Sequence, residues 1–115
     1  MIGFRLLLVV IFTVLTVYTL VVITNHGINL LPVFFGDMAQ MAWPGQFNLD
    51  FMCFLALSAL WVAWRHQFSG AGLALGVLAF FGGAVFLSVY LFIHSFKVNN
   101  NLVALLLGPS RVNNQ

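Results

Sequence analysis

Five side chains of this sequence have the chemistry to form a site together: His26, Asp50, Tyr90, His94 and Lys97. Tyr90 and His94 stand four apart, which puts them on one face of a helix. Asp50 and Asp37 are the two acidic residues, and both lie in the stretch NHGINLLPVFFGDMAQMAWPGQFNLDF, residues 25–51. An ionisable group at the edge of a bilayer marks a site by default, and His94 and Lys97 are the expected partners of Asp50. Two histidines and two carboxylates can also ligate zinc or non-haem iron. No pair has the HxxH, HxxxH or ExxH spacing of a dedicated metal site, and Cys53 is the lone cysteine, so neither a metal nor a disulfide is expected. Axial haem histidines lie deep in a bundle, and neither His26 nor His94 falls mid-span. No catalytic residue and no cofactor is therefore expected.

What positions these groups is set by composition. The chain has 115 residues, 63% of them hydrophobic and 5% charged, with a mean hydropathy of +1.09. A soluble domain carries roughly 25% charged residues. So little charge cannot cover a water-exposed surface, which makes this an integral membrane protein in contact with a lipid bilayer. Four basic residues spread singly, Arg5, Arg65, Lys97 and Arg111, make no footprint for nucleic acid.

Three apolar runs are expected to be transmembrane helices within a single domain, residues 1–115: about 6–24, 48–66 and 71–96. Helices are preferred to strands because lipid leaves the edges of an open sheet unpaired. The first run exceeds the h-region of a signal peptide and is followed by no small-x-small cleavage site, so it reads as a retained span. The fold class is thus all-α: a three-transmembrane-helix bundle, an interfacial loop or short helix at 25–47, and a short amphipathic tail at 97–115. Three straight spans put Met1 and Gln115 on opposite sides. Call the N-terminal side near and the other far. Arg5 and Arg65 then fall near, Lys97 and Arg111 far, and the positive-inside rule is tied. The α-amino group tips the near side towards the cytoplasm of a bacterial inner membrane.

On that topology the far side collects His26, Asp50, Tyr90, His94 and Lys97 under the 25–47 loop. A plainer account exists for part of this cluster. Asn48 suits an N-cap, with Asp50 in the first helical turn, where the helix dipole favours negative charge. Pro44-Gly45 in WPGQF signals a turn. Trp61, Trp64 and Arg65 read as an ordinary interfacial belt. In the third run, Gly72, Gly76, Ala79 and Gly83 recur along one helical face, the small-xxx-small pattern of close helix packing.

The order of NHGINLLPVFFGD, WPGQFNLDF, WVAWRHQFS and a Gly-rich third span resembles small bacterial membrane proteins of three or four helices grouped as domains of unknown function. That resemblance covers most of the chain and implies no activity. The small lycopene cyclase subunits are similar in length and helix count, but their Pro-x-Glu motif is absent. The three-helix anchors of succinate dehydrogenase are similar in size, but their haem and quinone residues do not map here. The leading expectation is a non-enzymatic accessory subunit that forms a homo-oligomer or joins a larger membrane complex through the small-residue face. The alternative is a binder or enzyme for a hydrophobic molecule (a lipid, quinone or pigment) at the far-side cluster, and a third is a redox-subunit anchor.

Overall fold

A computed structural model of the chain describes residues 2–99, 101–109 and 111. All its regular structure is helical: α1 (Ile2–His26), α2 (Leu31–Ala39), α3 (Trp43–Arg65), α4 (Gly70–Lys97) and α5 (Leu102–Leu107). By length and composition, α1, α3 and α4 are each apolar enough to cross a membrane.

The expected turn at WPGQF is the first turn of α3. Ala42 is its extended N-cap, and Pro44 occupies the opening of the helix. A proline there loses no hydrogen bond, because the first N–H groups of a helix have no partner within it, and its fixed φ suits the helix. Asp50 therefore stands two turns inside α3, and the first turn holds no acidic residue. Asn48 is not a cap either. Its Nδ2 donates to the Phe34 carbonyl at 3.1 Å and so ties α2 to α3.

The largest departure lies in α4. Its backbone is non-helical at Gly83, with φ 58° and ψ −143°, a combination open to glycine and strained for any other residue. Residues 72 and 90 would stand about 27 Å apart in a straight helix. Instead both reach His66. A Cβ on Gly72 would lie 2.7 Å from the His66 Cβ, and the Tyr90 hydroxyl lies 2.6 Å from His66 Nε2. The helix doubles back at Gly83 into two antiparallel arms, residues 70–82 and 84–97.

The first arm runs along α3. Gly72, Gly76, Ala79 and Gly83 are all buried, and a Cβ on Gly76 would come within 3.1 Å of the Ala59 carbonyl oxygen. The small-residue face thus packs on α3 of the same chain. The second arm runs along α1, from Arg5 beside Ser95 to Leu15 beside Gly83. A core of Val62, Ala79 and Tyr90 forms where α3 meets the hairpin. The tail then closes on its own chain. Asn101 caps α5 by accepting from the Ala104 N–H at 3.2 Å, and Ala104 and Leu105 are buried with Val98 against Phe4 and Leu91.

This arrangement corrects the expected topology. Met1 and Gln115 lie outside the described residues, but Arg5, Lys97 and Arg111 all belong to the end of the bundle where α3 finishes. The near end of the molecule holds both ends of the described chain.

Candidate functional site

Three helix C-termini meet at the near end: those of α3, α4 and α5. The last carbonyls of a helix lack partners within it and carry the negative end of its dipole. Three arginines supply what they lack. Arg5 donates from Nη2 to the Ser95 carbonyl at 3.2 Å and from Nε to the Ser95 hydroxyl at 2.9 Å. Arg111 donates to the Trp64 carbonyl and lies over the Trp64 ring, 3.9 Å from its centroid. Trp61 adds its indole N–H to the Leu106 carbonyl at 3.0 Å.

Arg65 is the centre of the arrangement and is only 2% exposed. Its Nε donates to the Leu105 carbonyl at 2.6 Å and its Nη2 to the Ala104 carbonyl at 3.5 Å. Its Nη1 donates to the Tyr90 hydroxyl at 3.1 Å and to His94 Nδ1 at 3.4 Å. Every acceptor is uncharged. The positive charge is held by dipoles alone.

A guanidinium can only donate, and that fixes the proton of His94. His94 Nδ1 must accept, so its proton sits on Nε2. The Tyr90 oxygen accepts from Arg65 and lies 2.6 Å from His66 Nε2, in a hydrogen bond whose direction follows the His66 tautomer. Burial, followed by the nearby Arg65 and Lys97 charges, lowers the His66 pKa below its ordinary value. The rings of His66 and His94 stand 5.6 Å apart. Lys97 is exposed and has no hydrogen-bond or ionic partner among the described residues.

Beside this cluster a cavity of about 370 Å³ opens between the arms of α4. Its walls are apolar at Leu75, Phe86, Val89 and Ile93 and polar at His66, Tyr90, His94 and Lys97. It adjoins a second space of about 410 Å³ that reaches Arg65 and Gln67.

Of the five side chains expected to cluster, the structure brings together Tyr90, His94 and Lys97 and separates the other two. His26 is exposed at the far end, beside a different cavity of about 600 Å³. Asp50 is exposed, with no hydrogen-bond or ionic partner among the described residues. It lies about 22 Å along α3 from Arg65. The straight-span topology placed it level with His94, and the bend at Gly83 removes it. Arg65 and His66 take their places, Arg65 having read as an ordinary belt residue. Their signal was the Gly82-Gly83 pair midway along a 28-residue helix, since sharp bends concentrate at such positions.

Among the described residues no three His, Cys, Asp or Glu side chains converge on a point where a metal ion would sit. No protein-family model, curated protein or solved structure matches the chain.

Proposed function

We propose that this is an integral membrane protein that binds an amphiphilic small molecule, such as a lipid, quinone or pigment, in the cleft between the two arms of α4. One observation carries this reading. The cleft changes along its length from apolar walls to a polar end whose rings are held in place by the buried Arg65. Binding sites for small molecules pair an apolar body with a few placed polar groups. Each arm of α4, about half of its 28 residues, is roughly 20 Å long. An arm of that length enters a ~30 Å hydrocarbon core without crossing it. The bent backbone is then shielded by α1 and α3, as irregular backbone at membrane depth must be shielded by protein or by a water-lined cavity. Native mass spectrometry of the full chain, extracted in mild detergent, tests the reading. Wild-type protein should retain an amphiphile, and Val89→Trp, which fills the cleft from one wall, should release it. Retention that Val89→Trp leaves unchanged overturns the cleft.

The hairpin also bears on orientation. Arg5, Arg65, Lys97 and Arg111 all fall near, while Asp37 and Asp50 belong to α2 and the far half of α3. Four basic residues against none favour a cytoplasmic near side by the positive-inside rule. Reporters fused to the two termini should then both report the cytoplasm. A C-terminal reporter exported to the other compartment would restore the straight third span.

A further inference from the structure

We propose that the ligand of this cleft is an anionic membrane lipid, bound by its phosphate at His66, His94 and Lys97 with an acyl chain along Leu75, Phe86 and Val89; this rests on the cleft being the binding site.

The first ground is hydrogen-bond direction. Arg65 uses up the acceptor nitrogen of His94, and the Tyr90 hydroxyl engages Nε2 of His66. What remains for a ligand is the Nε2–H of His94, the three N–H bonds of the Lys97 ammonium and Nδ1 of His66. The polar end of the cleft is therefore dominated by donors. A head group that carries only acceptors matches it, and the phosphate of a lipid is such a group.

The second ground is charge. Each helix C-terminus contributes roughly −0.5 of an elementary charge at most, so the three that meet here supply about −1.5 against four cations. No carboxylate lines either cavity. Among the described residues, both aspartates lie towards the other end of the bundle. Arg5, Arg65 and Arg111 spend donors on carbonyl oxygens of helix ends, while Lys97 has no partner among the described residues. The near end is left with an excess of positive charge and one uncommitted ammonium at the mouth of the cleft. A quinone would satisfy some donors and neutralise none of that charge.

The third ground is the wall. Leu75, Phe86, Val89 and Ile93 continue the cleft away from the donors. Free inorganic phosphate would leave that apolar surface empty, whereas a lipid tail fills it.

The test uses full-length protein in mild detergent and native mass spectrometry with added phosphatidylglycerol, phosphatidylcholine, ubiquinone or inorganic phosphate. Phosphatidylglycerol should be retained over phosphatidylcholine and ubiquinone. Lys97→Met should weaken that retention about tenfold, the scale of one hydrogen bond to a charged group. Lys97 is exposed, so the variant should keep the wild-type melting temperature, and His94→Gln gives an independent second reading. Preferential retention of ubiquinone, or equal retention of both lipids, overturns the phosphate assignment while leaving the cleft intact, provided Val89→Trp still releases the ligand. Inorganic phosphate bound in the lipid's place and insensitive to Val89→Trp overturns the lipid source. Unaltered phosphatidylglycerol retention in Lys97→Met overturns the proposal outright. No amphiphile retained in any arm overturns the cleft as well.

Discussion

The two ends of the bundle are built on opposite principles. At the far end the contacts are local: α2 packs on the first turns of α3, and the Asn48–Phe34 bond spans 14 residues. At the near end they are remote. Arg5 meets Ser95 across 90 residues, and Arg65 meets Leu105 across 40. The far end gathers the polar residues that are conspicuous along the chain yet leaves His26 and Asp50 exposed. The near end buries an arginine that looked like an ordinary belt residue. Polarity clustered in sequence here marks turn chemistry and solvent contact. Polarity brought together by folding marks the site.

Breaking the near end should have the largest effect. Arg65→Met removes the donor to the Leu105 and Ala104 carbonyls and to the Tyr90 hydroxyl. Each buried acceptor left without a donor costs about 1–3 kcal/mol. A total loss of about 3 kcal/mol or more is expected, with α5 released. Thermal melting in detergent and protease sensitivity of the tail measure it. Arg65→Lys should recover little, because an ammonium cannot reproduce the planar fork. A wild-type melting temperature in Arg65→Met would mean that the network is incidental.

The hairpin that separates the two ends is the next place to break the contrast. Gly83→Ala forces a side chain into a backbone conformation that costs about 1–3 kcal/mol. The space itself is adequate, since a Cβ there would meet Phe51 at 3.4 Å and Leu55 at 3.5 Å. The loss should therefore come from backbone strain, and Gly83→Ala should shift the arms from closed towards extended. Spin labels at residues 75 and 89 read this directly. They should be close in the wild type and more widely distributed in Gly83→Ala. A separation of about 20 Å in the wild type would describe a straight helix and remove the hairpin.

How much of this was legible follows from the same bend. The all-helical class, the three long apolar segments and the short helix before α3 are matters of local composition and period, and they show along the chain. The site depended on topology, because a straight third span pairs His94 with Asp50 and a folded one pairs it with Arg65. One backbone conformation at Gly83 decides between them. Hydropathy carries no trace of it, since the apolar run continues through residues 82 and 83 without a break. The small residues at 72, 76, 79 and 83 lie buried against α3 in the structure. A helix face does not say whether it meets its own chain or another. Pro44 misled for a related reason: a proline marks the start of a helix as readily as a turn.

A smaller effect concerns His66. Its pKa is lowered by burial and by the Arg65 and Lys97 charges, so the folded state resists protonation more than the unfolded chain does. Between the lowered value and the ordinary ~6.5, the unfolded state binds more protons. This contribution to stability is complete above about pH 6.5 and is lost as pH falls through the folded value. The melting temperature of the wild type should therefore drop on acidification, and that of His66→Gln should drop less. Parallel slopes for the two proteins would assign the acid sensitivity to other groups.

The smallest effect is expected at the far end, at Asp50. A carboxylate paired with Lys97 or His94 would leave a cation stranded on replacement, at about 3–5 kcal/mol. The structure puts Asp50 on an exposed position of α3, about 22 Å along the helix from the Arg65 turn. Charges that far apart, with no shared partner, act independently. Asp50→Asn combined with Lys97→Met, and separately with His94→Gln, should be additive to within about 0.3–0.5 kcal/mol. Asp50→Asn alone should leave phosphatidylglycerol retention at the wild-type level, whereas Lys97→Met lowers it. Coupling above about 1 kcal/mol in either cycle would require the far end of α3 and the Lys97 end of α4 to meet. They can meet only if α4 runs straight, so this double-mutant cycle tests the bend at Gly83 from the opposite end of the molecule.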